Sequence, residues 1–207
     1  MGDTPDEAAP RHEVAGRLIV AGLGNPGPRY EGTRHNAGSM AIGVLLARTG
    51  ERLKRHRSGS LAVEAKLSGR RVVIAQPLSY MNDSGRPIRE LIRFFGAEPD
   101  DLVVIHDELD IPFGQVRVKF GGGVAGHNGL RSVASHLGSK EFGRVRIGIS
   151  RPRGDRDPMD WVLSRFSGAE RKELPTVLER AADAVEAIAE TGFQSAMNEF
   201  NVRPQRA

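Results

Sequence analysis

His35 lies in Tyr30-Glu31-Gly32-Thr33-Arg34-His35-Asn36-Ala37-Gly38, a glycine-flanked turn directly after an apolar segment. Side chains in such turns stand clear of the core and can meet a ligand. An imidazole there changes protonation near neutral pH, as a general base must. Asp107, in His106-Asp107-Glu108-Leu109-Asp110, closes another apolar run on a polar cluster. A carboxylate accepting from one ring nitrogen would fix the tautomer and leave the other nitrogen to take a proton from water. Asn25, Asn82 and Asn128 occupy similar turns. Their neutral amides both donate and accept, so they can hold peptide groups or a developing oxyanion without adding charge. Each residue also has a plainer use, the histidine as an idle side chain and the Asp and Asn as turn or helix caps. The chain has no cysteine and no Ser in a Gly-x-Ser-x-Gly elbow, so direct attack by an activated water is the simplest chemistry.

Gly22-Leu23-Gly24-Asn25-Pro26-Gly27 satisfies the G-x-G-x-x-G spacing of a dinucleotide fingerprint. That fingerprint needs a helix opening at the glycines, so that its amides meet the pyrophosphate. Pro26 and Pro28 follow at once, and no second apolar strand ends in Asp or Glu about 20 residues on, which argues against dinucleotide binding. The acidic run from Asp107 could join His35 or His127 as metal ligands, but no H-E-x-x-H or comparable spacing is present and no metal is expected. Gly121 to Gly129 is glycine-dense before a helix and reads as a mobile loop or an anion-binding nest. Arg117 and Lys119 alternate with Val116, Val118 and Phe120, and Arg144 and Arg146 alternate in the same way. Two such basic rows suit either phosphate contacts or a solvated sheet face.

The elements that must position these groups interleave along the chain. Arg17 to Leu23, Leu102 to Ile105 and Arg144 to Ile149 read as strands. Ser60 to Leu67 and Arg71 to Gln76 flank Ser68-Gly69, a hairpin signal. Ala37 to Thr49 reads as a helix with Met40, Val44 and Leu45 at helical intervals, stopped by Gly50. A second helix follows Asn82-Asp83-Ser84 as its cap, with Pro87 in its first turn and Ile88, Leu91, Ile92 and Phe95 as its apolar stripe. Gly129 to Leu137 is a short helix, Ser150 to Pro158 a loop, and Gly168 to Thr191 a long amphipathic helix. This alternation predicts a single α/β domain, with a mixed, mostly parallel twisted sheet and helices on both faces. In such sheets the ligand crevice lies beyond the carboxyl ends of the strands, where Asn25, Asn82 and Asp107 fall.

The 207 residues suit one domain of ordinary size, with 39% hydrophobic and 27% charged residues. A net charge of +4 favours a polyanionic partner such as nucleic acid without requiring one. Residues 1–16 have no apolar stretch of the kind a secretory signal needs and are read as a flexible extension, leaving 17–207 as the domain. The absence of cysteine fits a cytoplasmic protein.

Several blocks in this order carry a resemblance that extends from Leu18 to about Phe200: GLGNPGPRYEGTRHNAG, QPLSYMNDSG, HDELDIPFG, GGGVAGHNGLRS and RVRIGI. With them the chain resembles the bacterial peptidyl-tRNA hydrolase family. The resemblance implies one mixed-sheet α/β domain that hydrolyses the ester between a peptide and the terminal ribose of tRNA, and so returns tRNA to translation. It implies His35 as the base that activates water and Asp107 as its orienting partner. Asn25 would distinguish blocked from free aminoacyl-tRNA. Tyr30, Tyr80, Asn82 and Asn128 would contact substrate, and Met81 would line the peptide channel. Arg117, Lys119 and Arg146 match basic positions that meet tRNA phosphate. No metal or organic cofactor and no membrane are implied, and the acceptor stem and 3′ end of peptidyl-tRNA would meet a monomer. Gln76, Ser79 and Ala125 depart from the usual Lys, Thr and Gly, and Ala125 would stiffen the glycine-rich loop. A non-catalytic RNA-binding protein of the same fold is the alternative.

Overall fold

The computed structural model describes residues 16–202, so the extension expected over 1–16 lies, but for Gly16, outside the described residues. In chain order the elements are β1 (Leu18–Gly22), α1 (Ala37–Thr49), β2 (Lys54–Arg55), β3 (Ser60–Leu67), β4 (Arg70–Pro77), α2 (Gly85–Phe95), β5 (Leu102–Glu108), β6 (Val116–Phe120), α3 (Asn128–Leu137), β7 (Gly143–Gly148), α4 (Pro158–Val162) and α5 (Gly168–Phe200). They form a seven-stranded sheet in the order β2-β3-β4-β1-β5-β7-β6. The centre, β4-β1-β5-β7, is parallel, while β2 and β3 on one flank and β6 on the other join antiparallel. The Ser68-Gly69 hairpin forms as expected, with both residues left-handed (φ 47° and 79°), as a tight hairpin turn between twisted strands demands.

β1 and β5 are buried along their whole length, and their continuous apolar runs follow from having helices on both faces. Val20, Ile74, Ile105 and Val145 face α1 and α5. Ile19, Ala21, Val73 and Val104 face α2 and α3.

The turn bearing His35 is held close to the sheet by glycine. A Cβ on Gly38 would lie 2.1 Å from the Ile105 carbonyl oxygen, so only glycine lets the start of α1 rest on β5. This close seat also explains why α1 buries Ala37, Gly38, Ala41, Ile42 and Leu45 while Met40 and Val44 are only half-buried, contrary to the expected stripe. Gly38→Ala should therefore destabilise the fold by about 3 kcal/mol, through forced backbone displacement. A urea midpoint equal to wild type, at equal slope, would refute that account.

Other elements differ from the sequence reading. The start of α2 is not capped by Asn82, Asp83 or Ser84. A 3-10 turn over Met81–Asp83 leads straight into it, and the Gly85 N–H donates to Ser132 Oγ of α3 at 3.0 Å. A neighbouring helix thus supplies the cap. The short α4 begins at Pro158, with the Asp157 carboxylate accepting from the Met159 N–H at 2.7 Å. The last helix breaks at Gly192 (φ 83°, ψ 173°) and resumes to Phe200. The resumed turn drives Phe193 against Gly143, where a Cβ would come within 2.0 Å of the ring.

Candidate active site

Two neighbouring parallel strands bring the reactive groups together. Asp107, near the end of β5, accepts from His35 Nδ1 at 2.9 and 3.0 Å, one distance to each carboxylate oxygen. His127, which precedes α3, donates from Nε2 to Asp107 Oδ1 at 3.0 Å. The His127 Nδ1 accepts from the Leu130 N–H at 3.3 Å, which places that ring's proton on Nε2. Asp107 is thus an almost fully buried carboxylate satisfied by two imidazole donors. Sequence reasoning considered His127 as a residue of the glycine-rich loop and as a metal ligand; here it holds the carboxylate from the far side by a hydrogen bond.

Burial by itself would push the Asp107 pKa up, but the His35 and His127 rings, through charge and hydrogen bonds, hold it well below the usual 3.8. For His35, burial would lower the pKa, yet the Asp107 charge and hydrogen bond prevail and raise it above 6.5. His35 is thereby made a stronger base, with Nδ1 as donor and Nε2 left bare. His35, Asp107, Ala125, His127, Asn128 and Met159 are among the lining of a cleft of about 250 Å³. His106, on the same strand, plays a different part. Its fully buried ring donates to the Asp107 carbonyl at 2.6 Å, and burial followed by the neighbouring His127 pushes its pKa well below 6.5.

His35, Asp107 and His127 present ligand atoms within 4.8 Å of one another. A metal would need a lone pair from each ring, with the other ring nitrogen donating outward. His127 accepts at Nδ1, which commits its Nε2 to a proton, so the hydrogen-bond pattern does not suit a metal. Nor does the glycine motif suit a dinucleotide, because turns follow it and α1 opens only at Ala37.

Asn25 is fixed from both ends. Its N–H donates to Asn36 Oδ1 at 2.9 Å and its carbonyl accepts from Asn36 Nδ2 at 3.0 Å. Its side-chain Oδ1 accepts from the Met81 N–H at 2.8 Å. The amide orientation is therefore set, and Asn25 Nδ2 has no hydrogen-bond partner among the described residues. Asn36 was not singled out by sequence, although its place beside His35 is the signal that could have found it. The Met81 side chain is buried in the core between β1 and α3, its sulfur 2.5 Å from where a Gly129 Cβ would be, so Met81 meets Asn25 through its backbone amide while its side chain packs. Tyr30 and Tyr80 meet edge to face at 6.3 Å, with Tyr80 58% exposed. Asn82 is exposed and Asn128 half-buried at the cleft.

Arg34 ties the turn bearing His35 to the segment that walls the cleft. It is buried, donates to Ser164 Oγ at 2.8 Å and to Glu170 at 2.7 Å, and stacks 3.6 Å over the Trp161 ring. Burial lowers its pKa, and Glu170 opposes that shift.

A family model described as peptidyl-tRNA hydrolase matches residues 19–207. The chain belongs to the peptidyl-tRNA hydrolase family. A peptidyl-tRNA hydrolase of Nocardia farcinica is 53% identical over 187 residues, covering 90% of this chain and 97% of that protein. One of Mycobacterium marinum is 54% identical over 186 residues, covering 89% and 97%. The crystal structure of the Acinetobacter baumannii peptidyl-tRNA hydrolase superposes with a TM-score of 0.84 at 33% identity, covering 90% of this chain and 95% of that one. The protein is an ester hydrolase that acts on peptidyl-tRNA. No helix of the described residues is long and apolar enough to cross a membrane.

The basic rows separate into different uses. Arg117 and Arg146 are cross-strand partners, as are Lys119 and Arg144, all on the sheet face shared with α2 and α3. Arg117, Lys119 and Arg146 are partly exposed. Arg146 pairs with Glu108 at 3.0 Å, and Arg117 donates to Gln115 at 3.1 Å. Arg144 does not belong to a phosphate clamp. It is 2% exposed and donates to the Gly123 and Gly122 carbonyls at 2.6 and 2.8 Å. Alternation gave its face but not its depth. In that glycine-rich loop Ala125 adopts φ 48°, a conformation strained for a residue with a Cβ.

Proposed function

We propose that His35 is the general base of the hydrolysis. Its Nε2 takes a proton from a water that attacks the ester carbonyl carbon. The tetrahedral intermediate then expels the terminal ribose oxygen, which recovers the proton from His35 and leaves a peptide carboxylate and free tRNA. Asp107 holds His35 in the tautomer with Nε2 bare and stabilises the ring while it carries the proton. The observation that carries this reading is the two-oxygen contact from Asp107 to His35 Nδ1, beside a cleft.

Asn25 Nδ2, Asn82 and Asn128 donate to the neutral groups of the peptide, between Tyr30 and Tyr80 and the wall that Met81 supports. A free α-amine would bring a charge into a site built of neutral donors, and its desolvation would go uncompensated. Arg117, Lys119 and Arg146 face the phosphates of the acceptor stem and 3′ end, giving affinity that does not depend on sequence. The protein works as a monomer in the cytoplasm, without metal or organic cofactor.

Release of tRNA from N-acetyl-aminoacyl-tRNA, compared with free aminoacyl-tRNA and with an EDTA-treated sample, tests the reading. Selective cleavage that survives EDTA is expected, whereas loss of activity with EDTA would overturn the metal-free mechanism. For specificity, Asn25→Asp keeps the acceptor that Met81 holds but replaces the free donor with a charge. The preference for blocked over free aminoacyl-tRNA should fall by at least about tenfold. An unchanged ratio would remove Asn25 from that role.

A further inference from the structure

A second basic face lies outside the catalytic cleft. Arg86, Arg89 and Arg93 stand at i, i+3 and i+7 of α2, so helical period lines them along one outer stripe. Their side chains are 67%, 45% and 69% exposed. Arg57, from the turn between β2 and β3, lies 4.5 Å over the ring of Phe94, which is itself 46% exposed. The four arginines border two adjoining hollows of about 300 and 470 Å³ that share Arg57, Ser58 and Glu90. Asp83 pairs with Arg86 at 3.3 Å, and Glu90 is shared between Arg89 and Arg93 at 3.3 and 3.6 Å. Arg57 has no carboxylate partner among the described residues. Exposed pairs of this kind are weak, so a phosphate can displace them.

The location bears on the partner. Ser79 lines the larger hollow and leads through Tyr80 to Met81 and Asn82. The hollow therefore opens at the sheet edge that carries His35, on the flank opposite β6. From β3 to β6 is five strand intervals, about 24 Å, a distance comparable with the breadth of an RNA stem. Both basic faces belong to the α2–α3 side of the sheet.

We propose that Arg57, Arg86, Arg89 and Arg93, with Phe94, form a second tRNA contact that takes backbone phosphates of the acceptor arm across the cleft from Arg117 and Lys119. Guanidinium groups beside an exposed ring match phosphate next to nucleobase. This contact deepens the proposed function and rests on its reading of the cleft as the place where peptidyl-tRNA is cleaved.

The test compares wild type with the triple variant Arg57→Ala, Arg86→Ala, Arg93→Ala on two substrates. One is N-acetyl-aminoacyl-tRNA, and the other is the same ester carried on a CCA trinucleotide. The variant should lose at least about tenfold in kcat/KM on tRNA, with a shallower salt dependence, and match wild type on the trinucleotide. Undiminished activity on tRNA would overturn the proposal. So would an equal loss on both substrates, because the effect would then lie in the cleft and not in RNA contact. Lys119→Glu, run in parallel, separates the two readings. If it spares tRNA cleavage while the triple variant does not, the β6–β7 assignment fails and the new face stands.

Discussion

Replacing His35 with alanine should lower kcat by on the order of 10³-fold while leaving tRNA affinity close to wild type. The expectation follows from position. His35 is the ring whose Nδ1 is committed to Asp107 and whose other nitrogen is unengaged beside the cleft. The basic groups on β6 and β7 that would hold RNA are on other elements. Alanine would also leave the buried Asp107 with one imidazole donor fewer, so loss of fold must be separated from loss of chemistry. His35→Asn supplies that control, since its amide can still donate towards Asp107 but cannot take a proton from water. Near-normal turnover in either folded variant would exclude His35 as the base, whereas parallel losses of kcat with intact tRNA binding would support it.

Asp107→Asn should reduce the rate about 10²- to 10⁴-fold and move the acid limb of the pH profile to lower pH. The Asp107 charge and hydrogen bond outweigh burial and raise the His35 pKa above 6.5. In the proposed mechanism the neutral ring is the active form, so wild-type kcat/KM should climb through that raised value. Removing the carboxylate charge lets burial dominate, and the His35 pKa falls. The stability signs are opposite for the two partners. The raised His35 pKa gives stability that is full below 6.5 and is lost as pH rises through the folded-state value. The depressed Asp107 pKa gives stability that is present above 3.8 and is lost only as pH falls through its lower folded value. The enzyme should thus remain folded in mild acid, where it is inactive. A profile whose acid limb stays in place in Asp107→Asn would count against electrostatic support of the base.

The ends of most elements were readable because local chemistry sets them. Gly50, Gly96 and Gly138 each end a helix in a left-handed conformation. The Ser68-Gly69 hairpin needed only its own residues. The pairing of His35 with Asp107 was also accessible, since both sit where apolar strands give way to polar turns. What escaped was set by partners distant in sequence. Ser132 caps α2 from another helix, and Asn36 braces Asn25 across a turn. Arg144 is drawn inward by carbonyls of the glycine-rich loop. Alternation placed Arg117, Arg144 and Arg146 on one face, but period alone does not say which guanidinium is covered. His127 is the sharpest case, because its contact with Asp107 depends on how a flexible-looking glycine loop folds back over β5.

The strand order also shapes how the enzyme is made. His35 and Asp107 are 72 positions apart, and Arg34 reaches Ser164 across 130. The first contact needs β5 seated beside β1 and the second needs the segment after α4 as well, and both require closing long loops. By contrast, β3 and β4 zip from an adjacent turn and helices such as α2 form from local contacts, so both can precede it. In refolding from urea, secondary structure followed by far-UV circular dichroism should therefore return ahead of hydrolytic activity, and activity should recover with the slowest phase. Simultaneous recovery would mean that the central pairing is itself the nucleus. During synthesis the consequence is sharper still. Ser164 and Glu170, which clasp the turn bearing His35, are made 130 and 136 positions after Arg34, so a nascent chain that has already built β1, β5 and β7 still lacks that clasp.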